Sequence, residues 1–177
     1  VVSIVAGDGS PGDGGDALNA RLNQPSDIWV SPDGQVTIAD RGNHRIRQVA
    51  SSGIINTIAG TGTGEYAGDG RAAKEAEIRA TWSVAVDGSG RLLIADTGNG
   101  VSRLVDTSGS IFTLSLPPAA DAERARPYGL FSASSGAVMF TEAEHRIVRR
   151  LAPVVSSLRL TARRLVAPAD GQTSAGI

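Results

Sequence analysis

Short apolar runs alternate with turns rich in Pro, Asp, Ser and Gly along most of the chain. Within residues 27–59 four such runs follow one another, and "PDG" and "SSG" turns supply the backbone angles of tight hairpins. The pattern predicts a four-stranded antiparallel sheet, whose strands we call a to d in chain order. The predicted strands of this first unit are 27–31, 35–39, 44–50 and 54–59.

Strand b is apolar over nearly its whole length in three successive units. A strand with one face in water would alternate apolar and polar residues, so a continuous apolar run predicts burial on both faces, between neighbouring sheets. We therefore expect Ile38, Ile94 and Phe140, one from each unit, to be buried.

The second unit is a copy of the first. The phrase "IADRGNHRIRQV" of residues 38–49 returns as "IADTGNGVSRLV" at 94–105, so Asp40 recurs as Asp96 at an offset of 56 residues (96 − 40). The same offset aligns two "GDG" triplets. Because a structural unit is duplicated within one chain far more readily than a catalytic site, the repeat favours a structural role for this phrase over a catalytic one.

A third, decayed copy follows at an offset of 46 residues (142 − 96), with Glu142 in the place of Asp96 and without "GDG". One further deletion aligns its "EHRIV" with "NHRIR", and so His145 with His44. The predicted strands of this unit are 129–133, 137–141, 145–151 and, less clearly, 154–160. Four-stranded sheets stacked face to face at this period describe a β-propeller.

The phrases "IADRGNHRIRQV", "GIINTIAGTG" and "YAGDGRAAKEAEI" resemble NHL repeats, in particular the subtype with "AGDG" between blades, over about residues 4–151. The resemblance implies an all-β propeller of four-stranded antiparallel blades, commonly six, that binds proteins or RNA. We expect about three NHL-type blades that form part of a larger, six-bladed propeller. The predicted divisions are 1–7, the outer strand of a preceding blade; 8–60, blade one with its preceding loop; 61–116, blade two; 117–160, a degenerate blade three; and 161–177, a tail or the start of a next segment.

Composition fits many short strands and narrows the chemistry. Of 177 residues, 41% are hydrophobic, 22 are Gly and 4% are aromatic. The absence of Cys excludes disulfides, thiolate metal sites and a Cys nucleophile. No apolar run approaches the length of a membrane span. The chain begins at Val1 rather than Met, and we expect it to be a piece of a longer protein.

The net charge of −1 argues against general nucleic-acid binding. Residues 1–144 carry an acidic excess, whereas residues 145–177 are basic. The basic end, with Arg149 and Arg150, is interpreted either as solvated strand faces or as a contact surface for an acidic partner.

The repeated charged motif has two interpretations. Antiparallel order puts the b–c loops and the "GDG" loops, with Asp13 and Asp69, at the same rim. Either the carboxylates accept hydrogen bonds from loop amides and a nearby Arg, which locks the turn, or the rim forms a ring of charges that binds a ligand. The motif residues are Asp40, Asn43, His44, Arg45, Arg47, Asp96, Asn99, Arg103, Glu142, His145 and Arg146.

The "GDG" loops also have a structural and a functional interpretation. In the structural one, Asp13 or Asp69 caps a short helical turn, and alanines at 17, 20, 73 and 76 face the blade. In the functional one, Asp8, Asp13 and Asp16 bind calcium, although the regular ligand spacing of known calcium loops is missing. Two His residues without thiols make a poor zinc site, and no "GxSxG" occurs, so we predict no catalytic residue, metal or cofactor.

The sequence thus predicts a non-catalytic module for protein–protein interaction or structural assembly. Its expected partners are a protein, other subunits, or remaining blades of the same polypeptide. Trp29 and Trp82 are either core residues or partner contacts. One alternative is a metal-dependent, lyase- or hydrolase-like propeller enzyme whose site lies in further blades, and another is an RNA-binding NHL domain. An extracellular or cell-surface location is slightly favoured.

Overall fold

The computed structural model describes residues 3–7, 12–114, 126–133, 137–142, 146–151 and 162–165. Within them the chain forms three antiparallel sheets, which we call the first, second and third blades. Their order of neighbouring strands is β1-β5-β4-β3-β2, β6-β7-β8-β9 and β10-β11-β12-β13. The predicted all-β fold of four-stranded antiparallel blades is confirmed.

The strand bounds agree closely with the sequence pattern. The first blade contains β1 (Gly15–Asp16), β2 (Pro25–Val30), β3 (Val36–Asp40), β4 (Arg45–Val49) and β5 (Ile54–Ala59). The second contains β6 (Ser83–Val86), β7 (Leu92–Asp96), β8 (Val101–Val105) and β9 (Ile111–Leu114). The third contains β10 (Pro127–Ser132), β11 (Val138–Glu142), β12 (Ile147–Leu151) and β13 (Ala162–Leu165).

Two ends of the chain differ from the predicted plan. The fourth strand of the third blade is Ala162–Leu165, which pairs with β12 and lies within the segment 161–177, for which the sequence predicts a tail or the start of a next segment. The strand predicted at 154–160 lies outside the described residues. At the other end, residues 3–7 form no strand, but the Gly7 amide donates to the Ala17 carbonyl just as Gly60 donates to Ala73.

The segment that precedes a blade runs along the outer edge of that blade. β1 pairs with β5, opposite Ile55, and makes the first sheet five-stranded. In the second blade the Gly70 amide donates to the carbonyl of Ile111, whose own amide donates to Arg71. The outer strand therefore has no free edge at this point, which removes a site for unwanted strand pairing.

Apolar side chains fill the space between adjacent blades. One core joins residues of the first blade, such as Ile46, to Ile94 and Ile111 of the second, and a separate core joins Leu104 to Phe140 of the third. Strand b is buried on both faces in the second blade and, except for half-buried Val36, in the first, as predicted. In the third blade the prediction is wrong for one face, because Met139 is half-buried and Thr141 is exposed where no further blade covers them. The predicted core residues Ile38, Ile94 and Phe140 are all buried.

Small residues make the close approach of the connecting segment possible. The alanines at 17, 20, 73 and 76 are buried, as their repetition predicted. Gly68 has φ +96°, and a Cβ there would lie 2.6 Å from the Cα of Ala76. In the second blade the first Gly of the triplet is therefore required both by its backbone angle and by contact, whereas a Cβ at the equivalent Gly12 would meet nothing within 4 Å.

We predict that Ile94→Ala lowers the free energy of unfolding by about 2–5 kcal/mol, because the lost side chain leaves a cavity between two blades. Ile28→Ala is the control: Ile28 lies on strand a of the first blade and is 59% exposed, so its loss should cost less than about 1 kcal/mol. Denaturant unfolding of both variants measures the difference. Equal losses would contradict the stacking of blades around Ile94.

Candidate functional site

The Asp at the end of strand b is buried in the first blade. Asp40 Oδ1 accepts from the Asn23 amide at 2.7 Å, and its Oδ2 accepts from Asn43 Nδ2 at 2.8 Å. The guanidinium of Arg47 lies 3.6 Å from the same carboxylate. Asp40 thus joins the chain segment that enters β2, the b–c loop and strand c.

The second blade repeats these contacts with different residues. Asp96 Oδ1 accepts from the Arg79 amide at 2.7 Å, and its Oδ2 accepts from Asn99 Nδ2 at 2.9 Å. Arg103 Nη1 lies 3.5 Å from Asp96 Oδ2. The contacts match the structural interpretation of the motif, in which amides and an Arg hold the carboxylate. Any role of these residues in a binding rim stays a prediction.

Each buried Arg also binds the "GDG" loop. Arg47 Nη2 lies 2.8 Å from Asp13 Oδ1, and Arg103 Nη2 lies 2.6 Å from Asp69 Oδ1. Both guanidinium groups are buried, whereas the two loop carboxylates are partly exposed. One guanidinium in each blade therefore bridges a buried carboxylate and a rim carboxylate.

The expectation that Asp13 or Asp69 caps a helical turn is wrong. Asp16 caps the first turn, Ala17–Asn19, by accepting from the Leu18 amide at 3.0 Å. The second turn, Ala73–Glu75, has no side-chain cap. The physical reason is competition, because the guanidinium and a Thr on strand d already bind Asp13 and Asp69.

These contacts also bear on the proposed calcium loop. Asp8 lies outside the described residues, Asp13 binds Arg47, and Asp16 serves as a cap. Within the described ranges, no three His, Asp or Glu side chains cluster so that they could hold a metal ion. Among the same residues no helix is long and apolar enough to cross a membrane.

The third blade retains the acid–Arg pair in altered form. Arg149 Nε lies 2.6 Å from Glu142 Oε1, and both residues are buried. Glu142 pairs in register with Ile147, as Asp40 does with Arg45, so no deletion separates the copies. The alignment of Arg146 with Arg45 is therefore wrong, and buried Arg149 is not placed for a partner contact.

The variable residue of the motif occupies a left-handed turn. His44 has φ 54°, Gly100 has φ 68° and Arg146 has φ 52°, each just before strand c. A Gly meets this angle without strain, so it replaces His44 in the second copy. His145, the predicted equivalent of His44, lies outside the described residues.

His44 and Arg45 bind the segment between the first two blades. His44 Nδ1 accepts from the Ala80 amide at 3.1 Å, so its proton lies on the other ring nitrogen when the ring is neutral. Arg45 Nη2 donates to the Thr61 carbonyl at 2.7 Å. The second copy has Gly and Val at these positions, so it lacks both links.

The two Trp residues occupy different environments. Trp29 is half-buried against the core between the first two blades and lines a cleft of about 280 Å³. Trp82 is 38% exposed at the start of the inner strand of the second blade. The Arg41 guanidinium lies 4.3 Å from its ring centroid, and the Tyr128 ring lies 5.6 Å away. Three blades therefore contribute to this cluster.

Sequence reasoning missed Arg41 and Tyr128, although Tyr128 follows Trp82 at the 46-residue offset of the third copy (128 − 82). It also missed the links between inner strands. Asp27 Oδ2 accepts from Ser83 Oγ at 2.5 Å, and Ser83 Oγ accepts from the Leu130 amide at 2.9 Å. Asp27 and Ser83 are one repeat apart, so their offset of 56 was the available signal (83 − 27). Arg150 is exposed, and its contact role stays a prediction.

Comparison with known proteins agrees with this geometry. The family model described as the Teneurin NHL domain matches residues 6–65. Teneurin-1 of Mus musculus is 36% identical over 96 residues, which cover 47% of this chain and 4% of that protein. SUPPRESSOR OF QUENCHING 1, chloroplastic, of Arabidopsis thaliana is 32% identical over 100 residues, which cover 54% of this chain and 9% of that protein. The chain thus spans less than a tenth of these relatives.

Solved structures show the same fold. Selenomethionine-substituted virginiamycin B lyase from Staphylococcus aureus superposes with a TM-score of 0.58 at 18% identity, over 81% of this chain and 41% of that chain. A gluconolactonase from Xanthomonas campestris gives a TM-score of 0.59 at 19% identity, over 82% and 48%. At such identity the likeness concerns the fold alone, and this chain spans less than half of either structure.

The stacked four-stranded blades and their repeated carboxylate–Arg contacts define this chain as a β-propeller repeat protein. The Teneurin NHL match over residues 6–65 supports the resemblance of this part of the chain to NHL repeats. The assignment to the "AGDG" subtype stays a prediction.

Burial raises the pKa of Asp96 from 3.8 to about 6, although hydrogen bonds from Asn99 and Arg79 and the charge of Arg103 oppose the shift. Between these values the folded protein binds more protons than the unfolded chain, so its stability falls as pH rises. We predict that the wild type loses on the order of 2–3 kcal/mol relative to Asp96→Asn between pH 4 and pH 6.5. Denaturant unfolding at several pH values measures this difference, and a constant difference would refute the raised pKa.

Proposed function

We propose that the chain is a non-catalytic propeller module that assembles with further blades and binds a protein partner through its rim. The assembly part rests on one comparison between equivalent positions. Val84 on the inner strand of the second blade is 3% exposed because the first blade covers it, whereas Ile28, its equivalent in the first blade, is 59% exposed. Val30 is exposed likewise, while its equivalent Val86 packs against the core.

The outward face of the third blade, at the opposite end of the arc, also exposes apolar side chains. Phe131 of the third blade is 59% exposed, whereas Ala85 at the equivalent position is 3% exposed between blades. Val148 is 41% exposed, and its equivalent Ile46 is fully buried. Both end faces of the described arc therefore present apolar side chains where an internal blade has a neighbour, and stacked repeats need such faces covered.

The cover that fits both faces is another blade of the same kind. At each interface between described blades, a Val or Leu of the inner strand (Val84 or Leu130) packs against apolar residues of the preceding blade. Ile28 offers such an inner-strand side chain to a preceding blade, and Phe131 offers an apolar surface to a following one. Further blades of the same polypeptide are the favoured source, and other subunits of an assembly are the alternative. An extracellular or cell-surface location suits such an assembly and remains part of the proposal.

The charged motif supports a structural rather than a catalytic role. Asp40 and Asp96 are buried and bound to Arg and amide groups, and buried Glu142 is bound to Arg149, so these carboxylates are not displayed toward a ligand. His44 uses Nδ1 to bind the next blade. A propeller enzyme would draw its acid and base groups from blades beyond this chain, and we retain it as the alternative.

The surface cluster of Arg41, Trp82 and Tyr128 supports partner binding. Trp, Tyr and Arg are the residue types that contribute most to protein interfaces, and here Trp82 contacts both Arg41 and Tyr128. The Arg41 guanidinium forms no ion pair with any described residue. A partner with an acidic group beside an apolar side chain would complement this cluster.

RNA binding through the rim is the remaining alternative. The Arg41 guanidinium beside the exposed Trp82 ring would suit a stacked base, but the acidic excess of residues 1–144 opposes attraction of a phosphate backbone. RNA binding would weaken steeply as salt increases, and that dependence separates it from protein binding.

We predict that the isolated chain self-associates as its concentration rises, because association would bury the apolar side chains exposed on its two end faces. In sedimentation, the double variant Ile28→Glu, Phe131→Glu should stay monomeric, since a charge on each face opposes stacking. Ser52→Glu adds charge in an exposed turn away from these faces and should behave like the wild type. A wild-type monomer whose β2 amides are as protected from exchange as those of β6 would refute the proposed assembly.

A further inference from the structure

The cleft beside Trp29 lies between the first two blades, at the rim where the a–b and c–d turns lie. Trp29, Thr37 and Gln48 are register partners on β2, β3 and β4, so their side chains stand side by side on the face toward the second blade. Ile58 and Leu92 are among the apolar walls. The volume of about 280 Å³ is at the low end for ligand pockets, which run from about 300 to 1,000 Å³, and it suits a single side chain.

Leucines occupy the equivalent positions between the second and third blades. Leu93 and Leu104 lie one 56-residue repeat after Thr37 and Gln48, and both are buried in the core that contains Phe140. The first blade carries a hydroxyl and a carboxamide where its copy carries two apolar side chains. This exchange separates the cleft from an ordinary interface between blades.

The polar side chains of the cleft have no partner of their own. Among the described residues neither Thr37 nor Gln48 makes a side-chain hydrogen bond, although Thr37 is only 1% exposed and forms part of the floor. An unpartnered polar group costs free energy that a Leu at the same position would not. Within the same ranges no cation lies on the Trp29 ring, unlike that of Trp82. Trp29 and Gln48 are half-buried, so a ligand can contact both.

The turns that border the cleft are acidic. Asp106 lines it, and all hydrogen bonds that its side chain accepts from described residues end on Oδ1, so Oδ2 is left without a donor. Neither Asp106 nor Asp33 forms an ion pair with a described residue, whereas Asp87 is paired with Arg91. Hydrogen bonds from serine hydroxyls of their own turns lower the pKa of Asp33 and Asp106, so both stay charged at neutral pH. The border therefore attracts a cation.

We propose that this cleft binds the side chain of an arginine presented by a partner polypeptide. The guanidinium lies against the Trp29 ring and donates to Gln48 Oε1 and Asp106 Oδ2, because a planar guanidinium can stack on an indole while its N–H groups point outward in the plane. The methylene stem packs against Ile58. A lysine ammonium has no such flat face, and a neutral side chain gains no ion pair from Asp106. This site goes beyond the contact proposed at Trp82, and neither depends on the other or on the end faces.

The test follows the isotopically labelled chain by NMR during addition of the peptide N-acetyl-Gly-Arg-Gly-amide. We expect saturable shifts at the Trp29 indole N–H and the Gln48 side-chain amide, and none at the Trp82 indole, where Arg41 already lies. The same peptide with citrulline in place of arginine is neutral and nearly identical in shape, so it should bind at least about fivefold more weakly. Equal binding of the two peptides, or no saturable shift at Trp29, would overturn the proposal.

Variants locate the binding. The double variant Thr37→Leu, Gln48→Leu installs the leucines of the second blade, so it should fold and lose the site. Asp106→Asn keeps an acceptor for the turn and should weaken binding of the arginine peptide about fivefold, without changing that of the citrulline peptide.

Glu65→Gln is the matched charge control. Glu65 is exposed at the opposite rim, where its carbonyl binds Asn99, and its change should affect neither peptide. Equal weakening by Glu65→Gln and Asp106→Asn would show that only general charge attraction operates, and the proposal would be wrong. Undiminished binding to the double leucine variant would also contradict it, as would binding of methylguanidinium without binding of the peptide.

Discussion

A buried guanidinium held between two carboxylates is the interaction on which each of the first two blades depends. Arg47 and Arg103 each connect the end of strand b, through Asp40 or Asp96, to the loop carboxylate that precedes the blade. Removing a charge from water is expensive, and loss of one partner leaves the other uncompensated. The interaction therefore adds little net stability, but it fixes the position of the loop, because the buried guanidinium needs the loop carboxylate beside it.

Several other features follow from that position of the loop. The loop backbone pairs with the outer strand and then passes between blades, where Gly68 and Ala76 touch and only small side chains fit. The buried alanines allow adjacent sheets to approach closely enough to share an apolar core. At the inner strands, Asp27 accepts a hydrogen bond from Ser83, and Ser83 accepts one from the Leu130 amide, so hydrogen bonds join each blade to the next. Polar contacts therefore connect the chain both at the inner strands and at the loop that binds the outer strand.

The sequence predicted the strands and the repeat because both depend on local periodicity. It also predicted which carboxylates would be bound, since Asp40 and Asp96 recur at one offset with an Arg on the next strand. It placed the third copy of strand c out of register because it matched the letters "HR" at His145–Arg146. The structure matches the left-handed turn at Arg146 instead, and this backbone angle tolerates His, Gly or Arg.

The missed parts of the site depend on contacts between blades. Arg41 meets Trp82 only because successive blades stack, and no spacing within one unit reveals that distance. The choice of Asp16 over Asp13 as a cap depends on a competing guanidinium from a strand more than thirty residues away. Local propensity identifies the residue types that cap a turn, but it does not show which of them is already bound elsewhere.

The most direct test of this account is amide hydrogen exchange at Gly70 and Ala73, whose amides bind the outer turn and strand of the second blade. Arg103→Met removes the central guanidinium, and Arg91→Met removes a partly exposed Arg from a separate pair with Asp87. The account predicts that Arg103→Met costs about 3–5 kcal/mol and speeds exchange at both amides at least about tenfold under native conditions, whereas Arg91→Met costs about 0–1 kcal/mol and leaves them unchanged. Unchanged exchange at Gly70 and Ala73 in Arg103→Met would contradict it.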